Sequence, residues 1–141
     1  MALSAGMAHI DAAQVYGNED SVGKGLAKHL ALAPRDSVFV TTKLYKLEEG
    51  ETVRDALKTS LKKLQLDHVD LYLIHTPESF AGQGRLKDIW QQFEQIQEEG
   101  LAASIGVSNF RVKDFEKFID DAKVKPAVNQ VRCLQIQWNT H

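Results

Sequence analysis

Val69-Asp-Leu-Tyr-Leu-Ile74, followed by His75, is the stretch that decides the architecture. A short apolar run closed by a polar residue reads as a strand, and Pro77, Gly82 and Gly84 break the chain just beyond it. Amphipathic helices are predicted on either side. Upstream, Glu51–Leu64 carries Val53, Ala56, Leu57, Leu61 and Leu64 on one face and Arg54, Lys58, Lys62 and Lys63 on the other. Downstream, Leu86, Ile89, Trp90, Phe93 and Ile96 keep helical spacing over Leu86–Glu99, and Gly100 stands where a left-handed cap is usual.

The same unit recurs outward. Further strands are predicted at Ala8–Asp11, Val38–Thr42, Ala103–Val107 and, after Pro126, Ala127–Val131. Further helices are predicted at Ser21–Leu32, with Val22, Leu26 and Leu30 on one face and Pro34 as its stop, and at Val112–Ala122. In the latter, Val112, Phe115, Phe118, Ile119 and Ala122 are expected to face inward. Strict alternation of strand and helix implies an α/β fold with a parallel sheet and right-handed crossovers. A doubly wound sheet and a (β/α)8 barrel both satisfy it. No linker or low-complexity stretch divides residues 1–141, so a single domain is expected.

Composition narrows the partners. The chain is 43% hydrophobic and 26% charged, ordinary for a globular protein, and its formal net charge is -2. That balance gives no electrostatic footprint for nucleic acid and no polybasic segment for a membrane surface. No apolar run approaches the ~20 residues of a membrane helix. The start, Met1 to His9, lacks the basic region of a signal peptide, so the cytoplasm is the expected compartment. Cys133 is the one cysteine and excludes an intrachain disulfide; it is expected to be a small apolar residue. His9, His29, His68, His75 and His141 show no paired ligand spacing, which argues against a metal hydrolase.

The chemistry gathers where strands end. The predicted strands close on Asp11, Lys43, His75 and Ser108-Asn109, and the fifth carries Asn129-Gln130. Each has an ordinary explanation alone: a turn cap for Asp11, a solvated charge for Lys43, a loop histidine for His75, a helix cap for Asn109, a core amide for Gln130. Their joint placement does not, because parallel α/β folds hold their catalytic groups at this end of the strands. Tyr16 lies just past the first strand, and Gly17 lets the chain turn so that the ring leans back toward Asp11 and Lys43.

Taken together, these segments resemble one family. His9-Ile-Asp11-Ala-Ala-Gln-Val-Tyr16-Gly-Asn-Glu19, Val38-Phe-Val-Thr-Thr-Lys43-Leu, Asp70-Leu-Tyr-Leu-Ile-His75-Thr-Pro77, Gly106-Val-Ser108-Asn109-Phe110 and Pro126-Ala-Val-Asn129-Gln130-Val are similar to successive motifs of the aldo-keto reductases, in order and in separation. The resemblance implies a partial TIM (β/α)8 barrel in which NADPH reduces an aldehyde or ketone. Carried over, Tyr16 would be the general acid, and Lys43, a cation beside the phenol, would favour the phenolate left behind. Asp11 would hold Lys43, and His75 would polarise the carbonyl oxygen. Ser108, Asn109 and Gln130 would bind the nicotinamide carboxamide. A doubly wound nucleotide binder fits less well. Gly82-Gln-Gly84 does not follow a strand and open a helix, and Gly17, Gly23 and Gly25 have the wrong spacing for a phosphate loop.

By the same resemblance the chain begins after the family's first barrel strand and stops at its sixth. An incomplete domain is therefore expected, without the loops that grip the adenosine phosphates and choose the substrate. After Val131 the tail Arg132-Cys-Leu-Gln-Ile-Gln-Trp-Asn-Thr-His141 departs from the family pattern and is read as an alternative terminus. An open sheet would leave two unpaired edges and partly wet inner faces, through which the chain could associate. The alternative function is a catalytically inactive binding or regulatory protein of the same descent, a role the family's potassium-channel β subunits exemplify.

Overall fold

The apolar runs pair into one sheet in the computed structural model, which describes residues 6–81 and 84–131. The strands are β1 (His9–Asp11), β2 (Phe39–Leu44), β3 (Val69–Ile74), β4 (Ala102–Ser108) and β5 (Asn129–Gln130). They lie in the order β1-β2-β3-β4-β5, and every neighbouring pair is parallel. That order settles the architecture. A doubly wound sheet reverses direction at a switch point, whereas a barrel adds strands in sequence. The five strands thus form a half-barrel.

The connections are α1 (Glu19–Leu30), α2 (Val53–Leu64), α3 (Glu78–Ala81), α4 (Leu86–Glu98) and α5 (Val112–Phe115). The start of α2 is set by a capping box: Thr52 accepts from the Asp55 amide, and Asp55 accepts from the Thr52 amide. The apolar stripes of α1, α2 and α4 pack on the sheet through Leu26, Leu57, Leu64, Ile89, Trp90 and Phe93, all buried. Tyr72 of β3 stacks on Phe93 at 4.9 Å, Trp90 lies 5.1 Å from Phe118, and the Trp90 indole N–H donates to the Val124 carbonyl at 2.9 Å. Burial of each such side chain contributes about 1.5–3 kcal/mol.

The register fixes which residues share the inner face. Asp11 stands opposite Thr41, Thr41 opposite Leu71, and Leu71 opposite Ser104. One step along, Lys43 stands opposite Leu73 and Leu73 opposite Gly106. Ser108 stands opposite Gln130. Alternation carries this face to the strand ends named above.

Several elements differ from expectation. The last helix is regular only over Val112–Phe115; tight turns follow, with the Phe118 amide on the Phe115 carbonyl and the Asp121 amide on the Phe118 carbonyl. Phe118 is nonetheless buried, with Phe115, Ile119 and Ala122 packed against the core, because three-residue turns keep these side chains on nearly the same side. Val112, at the outer start of α5, faces solvent instead. β5 is shorter than expected, although the Ala127 amide on the Ile105 carbonyl and the Val107 amide on the Val128 carbonyl extend its pairing backward. The loop after His75 contains α3, and short 3-10 turns occupy Gln14–Tyr16 and Arg35–Ser37. Thr41, Leu71 and Leu73 are buried, so the inner face is wet at its margins, at His9, Asp11 and Val128, and not at its centre. Cys133, His141, Gly82 and the segment 132–141 lie outside the described residues.

Candidate active site

The C-terminal ends of the strands form the rim of one cavity of about 360 Å³, bordered by Val15, Tyr16, Lys43, His75, Ser108, Asn109, Gln130 and Val131. Lys43 closes in on it from β2. Its side chain is only 1% exposed, and its ammonium donates to the Asp11 carboxylate at 2.5 Å and to the Ala12 carbonyl at 3.2 Å. A buried ammonium without such partners would incur a large desolvation cost. Asp11 is 42% exposed, so the pair has a dry cation and a wet anion.

Tyr16 ends the 3-10 turn that follows β1. Gly17 accepts the left-handed conformation, φ 63°, that turns the chain there toward α1. The phenol ring is half exposed, and the Lys43 nitrogen lies 5.4 Å from its centre, within cation–π range. His75 meets the same ring edge-on at 5.6 Å, and Tyr45 approaches the imidazole from another side at 5.8 Å. Burial, and then the nearby Lys43 charge, hold the His75 pKa below its ordinary 6.5; Asp11 opposes this. His75 is therefore neutral at neutral pH. Its Nδ1 is buried and has no hydrogen-bond partner among the described residues.

The far wall comes from β4 and β5. Asn109 takes a left-handed conformation, φ 62°, and its amide donates to the His75 carbonyl and to the Ser108 hydroxyl, each at 3.1 Å. It braces the site rather than capping a helix. Ser108 donates to the Gln130 carbonyl at 2.7 Å. Asn129 ties β5 to the turn after β4, accepting from the Phe110 amide at 3.2 Å and donating to its carbonyl at 2.9 Å. Gly106 permits this closure. A Cβ there would stand 2.8 Å from the Val128 carbonyl and 2.9 Å from Leu73.

The structure thus brings Tyr16, Asp11, Lys43 and His75 together, with Ser108, Asn109 and Gln130 across the same cavity. Reasoning from sequence missed two contributors. Gln14 accepts from the amides of Tyr45 and Lys46, each at 2.9 Å. Glu19 is buried and accepts from Thr42 at 2.8 Å and Ser60 at 3.2 Å. The sequence held a signal for Glu19, an acidic residue at the first position of a helix whose dipole favours it. It held none for Gln14, whose contact depends on the 3-10 turn.

The chain belongs to the aldo/keto reductase family, whose sequence profile matches residues 1–139. It is 45% identical over 130 residues to the methylglyoxal reductase DkgA of Yersinia pestis, covering 92% of this chain and 45% of that protein. It is 43% identical over 131 residues to the glyoxal reductase of Bacillus subtilis, with coverage of 92% and 45%. Among solved structures, the aldose reductase of Giardia lamblia superposes with a TM-score of 0.82 at 36% identity, over 94% of this chain and 50% of that one. An aldo-keto reductase of Bombyx mori, solved in complex with NADP, superposes with a TM-score of 0.78 at 36% identity, over 94% and 46%. The chain spans about half the length of the relatives it matches. Among the described residues, no helix is long and apolar enough to cross a membrane.

Proposed function

We propose that this site reduces an aldehyde or ketone to an alcohol with NADPH. The observation that carries the reading is the convergence of a phenol, a buried ammonium and a neutral imidazole on one cavity. The residues present fit the nicotinamide end of the cofactor. Ser108, Asn109 and Gln130 line one wall, where the Gln130 amide offers a carboxamide both a donor and an acceptor, while the Ser108 O–H and the Asn109 N–H groups brace the wall itself. When bound, NADPH supplies the hydride that reaches the carbonyl carbon.

The rest is done by this chain. Tyr16 donates its phenolic proton to the carbonyl oxygen as negative charge grows there. The Lys43 ammonium beside the ring stabilises the phenolate that remains, and Asp11 holds Lys43 against the strand. His75, kept neutral by burial and by Lys43, can give the carbonyl oxygen an N–H without placing a second cation beside the ammonium. Asn109 fixes the backbone that carries His75.

The relatives named as methylglyoxal and glyoxal reductases make a small dicarbonyl the first substrate to try. The cytoplasm is the compartment this reading favours. The expected result is methylglyoxal-dependent loss of nicotinamide absorbance by the 141-residue chain, with stoichiometric alcohol. A folded chain that leaves NADPH unconsumed with methylglyoxal, glyoxal and simple aldehydes contradicts the reading. The alternative, a binding or regulatory protein, draws support from the half-exposed Val128 and the exposed Val131 beside the outer strand β5.

A further inference from the structure

The segment that carries Tyr16 is anchored at three places. Before the turn, the Ala12 amide donates to the Thr41 carbonyl at 2.9 Å, and Ala12 and Ala13 are buried. After the turn, Glu19 is set in the core by Thr42 and Ser60. Between these points Val15, Tyr16, Gly17 and Asn18 are exposed. The side chain that binds this stretch back to the sheet is Gln14, whose Oε1 accepts from two successive amides, Tyr45 and Lys46, each at 2.9 Å. Both lone pairs of that oxygen are used. Gln14 stands two residues before Tyr16, and Tyr45 stands two residues after Lys43, so the contact spans the phenol–ammonium pair.

We propose that Gln14 is a positioning residue, which sets the placement of the Tyr16 ring against Lys43 by locking the 3-10 turn to the exit of β2. Its effect on rate rests on the carbonyl-reductase reading; its effect on geometry does not. Gln14→Met keeps length and apolar volume but removes the acceptor. Gln14→Glu keeps an acceptor oxygen of the same reach.

The experiment measures both consequences in the full chain. In methylglyoxal reduction, Gln14→Met is expected to lower kcat about tenfold, since small misplacement of a reacting group is costly. KM and NADPH affinity should stay within roughly twofold of the parent. Gln14→Glu should recover most of kcat. A Gln14→Met protein with parental kcat, or equal losses in both variants, overturns the proposal. The second readout needs no turnover: tyrosine ring carbons observed by NMR, with the Tyr16 signal assigned through Tyr16→Phe. Gln14→Met should move the Tyr16 signal, Gln14→Glu should move it less, and buried Tyr72 should stay in place. A shifted Tyr16 signal in a chain that reduces nothing supports the positioning role and removes the reductase reading alone. A Tyr16 signal unmoved by Gln14→Met overturns the positioning role.

Discussion

Two ion pairs bind the sheet at its opposite ends, and they are built differently. At the N-terminal ends of the strands Arg35 meets Asp70 at 2.7 Å, with the side chains 25% and 22% exposed. Every group there is tied to backbone as well. Arg35 donates to the carbonyls of Val38 and His68, and Asp70 accepts from the Val40 amide at 2.7 Å. At the C-terminal ends Lys43 meets Asp11 at 2.5 Å, but the lysine is buried, the aspartate is wet, and the ammonium borders a cavity with a phenol and an imidazole. A lysine has three N–H bonds, and Asp11 and Ala12 accept two. The lower pair is tied into the sheet backbone, with the Arg35 Nε the one buried guanidinium nitrogen lacking a partner among the described residues, and serves stability. The upper pair holds a charge ready beside a space where charge can develop.

The largest effect should come from the upper end. Tyr16→Phe is expected to lower turnover on the order of 10²–10⁴-fold with NADPH affinity nearly unchanged, as fits a lost general acid. Single-turnover kinetics with a parallel binding titration check this. A large fall in affinity would make the ring a cofactor contact instead.

The sharpest contrast pairs Lys43→Met with Arg35→Met. Lys43→Met should abolish reduction yet cost only about 1 kcal/mol of unfolding free energy, because Asp11 can hydrate and only the Ala12 carbonyl loses its donor. Arg35→Met should cost about 2 kcal/mol in urea unfolding, through an uncompensated Asp70 and two orphaned carbonyls, with kcat per folded molecule retained. If both variants lose stability alike and activity alike, the distinction between the two ends collapses.

The smallest effect concerns pH. The folded state holds His75 below its ordinary 6.5, so the unfolded chain binds the proton more readily. The contribution to stability is full above the unfolded value and is lost as pH falls through the depressed folded one. His75→Asn should therefore flatten part of the stability loss below about pH 6.5. A parent and variant with parallel acid profiles would show that His75 is not desolvated.

Much of this was legible in the sequence for identifiable reasons. β3 was plain because Val69–Ile74 is apolar and short, and α2 because its stripe is regular and capped. Asp11, Lys43, His75, Ser108 and Gln130 could be found because a parallel sheet places strand ends together whatever the sheet's closure. Alternation alone did not separate a barrel from a doubly wound sheet; the sequential strand order did. The early end of α5 was hidden because its apolar spacing survives in tighter turns. Gln14 was hidden because its two bonds join residues 31 and 32 positions apart, across a turn that no local pattern announces.

Titration of the folded 141-residue chain with NADPH, followed by nicotinamide fluorescence, tests most directly whether the upper cavity is an NADPH-dependent reductase site. Saturable binding that persists in Tyr16→Phe and weakens in Gln130→Leu is the predicted result. A folded chain with no saturable NADPH binding would contradict it.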